Sequence, residues 1–101
     1  MQIQNLQNSL KVPFALEAHI LHSEKPIELV HLLLKPGDTL GYHKNPFDVV
    51  FFVIEGSGLL SVDGKKQQLH INDTLKVRRE MMRGWENNTQ SNLCLLVIKL
   101  I

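Results

Sequence analysis

Six apolar residues in a row, Val49–Ile54 (VVFFVI), lie between the turn signals Asn45-Pro46 and Gly56-Ser57-Gly58. The run is β-branched and aromatic and too short for a typical helix, so it predicts a strand. The same texture fills the chain from Phe14 onward. Leu16–Leu21, Leu29–Leu34, Leu59–Val62, Lys66–Ile71, Leu75–Arg78 and Leu93–Leu100 read as strands divided by turns, and Tyr42–Lys44 as an extended piece. Pro36-Gly37 ends one of them, because proline cannot donate to a ladder and glycine permits positive φ. Asp63-Gly64 is a two-residue hairpin signal, since a type I′ turn needs positive φ at both positions. No 3.6-residue apolar period lasts beyond two turns. Many short strands with regular turns predict an all-β barrel or sandwich. Residues 1–12 are polar with scattered Leu and Ile, and predict a short helical turn or an ordered arm. The expected organisation is an N-terminal arm, 1-14, and one β-barrel domain, 15-101.

Size and charge narrow the function classes. A chain of 101 residues supports one domain, and one of that size buries roughly 60–65% of its unfolded surface. The net charge of +1 gives no electrostatic footprint for nucleic acid or an anionic membrane. The basic run Lys76, Arg78, Arg79, Arg83 is broken by Glu80 and reads as a solvated face. Cys94 is the single cysteine, so no internal disulfide forms, and its apolar neighbours predict a buried thiol. The first residues lack a basic segment followed by an apolar stretch, and no apolar run approaches the length of a membrane span. A cytoplasmic protein is expected. VVFFVI is apolar on both of its faces, and a strand of that kind in a small barrel needs a second cover. We expect a homodimer to supply it.

The spacing around the central run is specific. Five residues separate Gly37 from His43, Asn45 follows, Val49 stands seven residues before Gly56, and the segment ends in VIEGSG. Further on, Asn72-Asp73 makes a turn, followed at fixed offsets by Arg78, Glu80, Arg83 and Asn87. This spacing resembles the two motifs of the small single-domain cupins (cupin type-2, RmlC-like jelly rolls), over about residues 15–100. The resemblance implies a cupin-like double-stranded β-helix, or jelly-roll, barrel. It also implies a divalent metal held by three histidines and a carboxylate. Of those four positions only His43 keeps a histidine. Asn45, Val49 and Arg83 occupy the other three, and an arginine has no lone pair to offer and stays charged. No cofactor is therefore expected, and an atypical metal site from His43 with His31 is kept as a weaker alternative.

What remains is a lumen in which His43, Asn45 and Arg83 meet apolar walls from Val49 and Phe51, with Tyr42 and Trp85 as flat faces. Convergent polar groups in an apolar pocket are the signature of a small-molecule site. Arginine would favour a carboxylate or phosphate, unless an internal salt bridge to Glu80, Glu86 or Asp48 occupies it. The leading reading is a non-metal small-molecule-binding barrel. One alternative is an enzyme, either an isomerase or epimerase using His43 with Asp48 or a metal enzyme with an atypical ligand set. Another is a dimeric interaction module with a packed lumen.

Overall fold

A computed structural model describes residues 1–12 and 16–101. The expected boundary between arm and barrel, at residues 14 and 15, lies outside the described residues. Ten strands follow in order: β1 Leu10–Lys11, β2 Glu17–Glu24, β3 Ile27–Leu34, β4 Thr39–His43, β5 Asp48–Glu55, β6 Ser57–Val62, β7 Lys65–His70, β8 Thr74–Val77, β9 Arg83–Glu86 and β10 Leu93–Leu100. They form two antiparallel sheets, one in the order β1-β2-β3-β10-β5-β8 and the other β4-β9-β6-β7. This is the all-β architecture that the turn pattern predicts, in the jelly-roll form that the resemblance implies.

The core follows from strand alternation. Val30, Leu32 and Leu34 of β3, Val49, Phe51 and Val53 of β5, and Leu93, Leu95 and Val97 of β10 all turn inward and are buried. From the other sheet Leu60 and Trp85 meet them, and Trp85 packs edge-on against Phe51 with ring centroids 5.4 Å apart. The outward partners Leu29, Leu33, Val50, Phe52, Leu96 and Ile98 are half-buried. Both faces of the large sheet are thus apolar, as the VVFFVI run requires.

Two turns show why their residues are needed. Asp63 and Gly64 take φ of 48° and 83°, the positive pair of a type I′ hairpin between β6 and β7. Gly56 turns β5 into β6 at φ 78°, and a Cβ there would strike the carbonyl of Asn92. The arm is an ordered piece: Asn5 Oδ1 accepts from the backbone N–H of Gln7 and Asn8, and β1 then pairs with β2.

Two features depart from the sequence reading. The segment Arg83–Glu86 is a strand that pairs with both β4 and β6. Its glycine and its charged first residue hide it, because its stability comes from non-local pairing. In β2 the register shifts between Ile20 and His22, which places His22 opposite Leu29. The bulge inverts the alternation, so His19 and His22 share the outer face, where a regular strand sets residues three apart on opposite ones.

Candidate functional site

The two sheets part at one end of the barrel and enclose a cavity of about 390 Å³. Ala18, Ile20, Val30 and Leu32 form one wall, from β2 and β3. Val49 and Phe51 of β5 and Val97 of β10 form another, with Leu40 from β4 and Val12 from the arm closing the sides. The polar lining consists of Glu28, His43, Asn45 and Lys99.

His43 reaches this cavity because β4 is irregular. Leu40 stands opposite Trp85 and His43 opposite Arg83, so three residues of β4 span what two span in β9. The extra residue re-aims the strand: Leu40 and His43 both turn inward, and Tyr42 turns out. Gly84 makes room for the bulge, since a Cβ there would lie 2.9 Å from the Leu40 carbonyl oxygen. His43 Nδ1 is 2.9 Å from the Gly41 carbonyl oxygen. A carbonyl only accepts, so Nδ1 carries the proton and Nε2 keeps the lone pair in the neutral ring.

Glu28 and Lys99 are cross-strand partners on the inner face, 3.3 Å apart at the cavity. Glu28 also accepts from Ser23 Oγ at 2.8 Å. Sequence reasoning missed both residues. The signal was present: each continues an inward series with period two, Glu28 before Val30, Leu32 and Leu34, and Lys99 after Leu93, Leu95 and Val97.

Of the seven expected pocket residues, the structure brings together His43, Asn45, Val49 and Phe51. The other three are placed elsewhere. Arg83 turns inward and is fully buried, but two of its three guanidinium nitrogens are taken up by the loop between β8 and β9. Nε donates to the Met81 carbonyl at 2.9 Å and one Nη to the Arg78 carbonyl at 3.1 Å, while the other Nη has no partner among the described residues. Burial pushes its pKa down from the usual arginine range and Asp63 pulls it back up. Among the described residues none of the internal salt bridges weighed for it is formed: Glu80 pairs with Lys44, and Asp48 with Lys76 and Arg79. Tyr42 is half-exposed on the outside of the small sheet, where its hydroxyl accepts from the Gly64 N–H at 2.9 Å. Trp85 is core, with its edge against Phe51.

The pairings behind the two enzyme readings are not assembled either. His31 alternates with buried Val30 and Leu32 and lies on the outer face, beside His19 and under Leu6 and Gln7 of the arm. It cannot share a metal with His43 on the inner side. Burial first, and then His19, push its pKa down. Asp48 lines a separate hollow with Arg78, Arg79 and Glu80, and accepts from the Arg79 N–H at 2.7 Å.

A divalent cation does not fit the donor set at the four family positions. It would meet one imidazole, one neutral amide, an aliphatic side chain and, in register with His43, an arginine. Among the described residues no group of three His, Cys, Asp or Glu is arranged to hold a metal ion. Nor is any helix among them long and apolar enough to cross a membrane.

Comparison with known proteins agrees with this architecture. The family model described as a cupin domain matches residues 30–99, which carry both motifs in full and most of the inner walls. The chain is a cupin. No functionally curated protein matches it in sequence. Among solved structures, a "predicted oxalate decarboxylase" from Thermotoga maritima is similar at TM-score 0.87, with 16% identity over 99% of this cupin and 99% of that chain. An RmlC-like cupin from Shewanella frigidimarina gives TM-score 0.86 and 17% identity over 98% and 89%. KdgF from Halomonas sp. gives 0.85 and 13% over 100% and 94%. At these identities the likeness is one of fold.

Proposed function

We propose that this cupin is a metal-free binding protein for a small molecule held in the lumen. The observation that carries the reading is the cavity of about 390 Å³ with apolar walls and His43 and Asn45 at its polar side. A volume of that size falls in the range of small-molecule sites. Val49 and Arg83 stand where a metal would need ligands, so binding rests on shape, apolar burial and a few hydrogen bonds. Two measurements test it. Elemental analysis of protein purified without chelator should find no stoichiometric transition metal. Backbone amide spectra recorded against small organic molecules should show shifts concentrated on Val49, Phe51 and Val97. Stoichiometric iron, nickel, zinc or manganese overturns the metal-free part, and a lumen that responds to no ligand overturns the rest.

The outer face of the large sheet supports a second copy as partner. Leu29, Val50, Phe52, Leu96 and Ile98 form a continuous half-buried apolar stripe across β3, β10 and β5. Contiguous apolar surface of this kind marks an interaction site, and the same face on two copies can pair in an isologous dimer. Light scattering after size exclusion should give the mass of a dimer, reduced to a monomer in Phe52→Asp. A wild-type monomer at all concentrations would remove the dimer.

A further inference from the structure

We propose that the lumen selects an uncharged, mostly apolar molecule carrying one hydrogen-bond donor, which His43 Nε2 accepts. This rests on the lumen-binding reading and names its ligand class. Three observations lead to it.

The first is electrostatic. Two formal charges line the cavity, Glu28 and Lys99, and they neutralise each other at 3.3 Å. Arg83, the group that would have drawn an anion, is capped by the Arg78 and Met81 carbonyls and does not line the cavity. An ionised headgroup would lose its hydration and find no free counter-charge on the cavity lining, and that loss is large in an apolar site. The second is polarity. The Gly41 carbonyl takes the Nδ1 proton of His43 and so presents Nε2 as an acceptor. An acceptor beside apolar walls calls for an O–H or N–H. Asn45, which both donates and accepts, fits the same headgroup from the neighbouring position. The third is the wall itself. Ile20, Val30, Leu32, Val49, Phe51 and Val97 give no partner to further polar groups, so the body of the ligand is hydrocarbon or aromatic.

A matched series tests the class. 4-Propylphenol, 4-propylanisole and 4-propylbenzoate share one apolar body and differ in a donor head, a capped head and an anionic head. They are titrated calorimetrically at about pH 8, where an ordinary imidazole is neutral and a phenol keeps its proton. Amide shifts of Val49, Phe51 and Val97 locate the binding. The phenol should bind about fivefold tighter than the anisole, the worth of one net hydrogen bond, and the benzoate should bind weakest. In His43→Leu the phenol and the anisole should bind equally well, whereas His43→Gln, which keeps an acceptor, should retain part of the preference. Anisole equal to phenol in the wild type, or benzoate tightest, with shifts still in the lumen, overturns the ligand class and leaves the lumen reading standing. The absence of lumen shifts with all three overturns both. The comparison among ligands is made on the wild-type protein, so it holds even if a variant folds poorly.

Discussion

His43 and Arg83 are paired across β4 and β9, both turn inward, and both stand at positions where the family places histidine. Their fates are opposite. His43 sits on a bulge, has one ring nitrogen fixed by its own strand, and offers the other to the cavity. Arg83 sits on a regular strand and is fully buried, with its guanidinium turned to the carbonyls of a loop. Position in a motif therefore decides which way a side chain starts, and local hydrogen bonding decides where its chemistry ends. In this cupin the β4 side of the lumen places a polar side chain on the cavity, and the β9 side turns its own to the loop.

The strongest way to break that division is to remove the buried cation. Arg83→Ala leaves a void and two loop carbonyls without their donor. The void carries most of the cost, and together the two effects should destabilise the fold by about 3 kcal/mol, read from the midpoint of urea unfolding. Arg83→Met restores most of the volume and should recover part of the loss. Ligand affinity in Arg83→Met should match the wild type. A stable Arg83→Met protein with lost lumen binding would return Arg83 to the site and erase the contrast with His43.

The next largest effect concerns the glycine that allows the bulge. Gly84→Ala places a Cβ 2.9 Å from the Leu40 carbonyl, against backbone that has little room to move. The overpacking should cost about 2 kcal/mol and push β4 away from β9. His43 would then lose its aim, so lumen binding should fall together with stability. A variant as stable as the wild type would show that the bulge does not depend on close approach here.

The fold was largely legible because its signals are local: β-branched runs, Asp63-Gly64 and Pro36-Gly37 each act through neighbouring residues. Motif spacing located His43 and Asn45 for the same reason. Three of the seven expected pocket residues went elsewhere, and non-local geometry explains each. Tyr42 leaves the lumen because of a bulge whose cause, Gly84, is more than forty residues away in sequence. Arg83 is withdrawn by carbonyls of a loop that no composition argument would place above it. Trp85 is claimed by Phe51. Glu28 and Lys99 were readable from alternation, but charged residues near strand ends pass easily for surface.

Asp48 sharpens the comparison from outside the lumen. It ties down the loop that caps Arg83, accepting from the Arg79 N–H and lying 3.6 Å from both the Lys76 ammonium and the Arg79 guanidinium. The backbone bond from Arg79 pulls its pKa below the usual carboxylate value; desolvation opposes it, and the Arg79 and Lys76 charges add to the downward pull. A carboxylate depressed on folding contributes stability at pH above its unfolded value, about 3.9, and loses it as pH falls through the lower folded value. Asp48→Asn should therefore narrow the difference in Tm between neutral and acid solution. An unchanged acid slope would mean that the loop is held without Asp48.

The smallest expected effect on stability is at His43 itself, and that is the point of the contrast. Its ring makes one hydrogen bond, to the carbonyl two residues back, and is only partly covered. His43→Ala should stay within about 0.5 kcal/mol of the wild type in urea, the range of substitutions away from packed or buried polar features. A loss comparable to that of Arg83→Ala would show that His43 is also a structural residue, tied into the β4 bulge rather than held out for a ligand. A near-neutral change in stability with a loss of the phenol preference would separate the two inward positions by experiment, one holding the barrel together and the other reading what enters it.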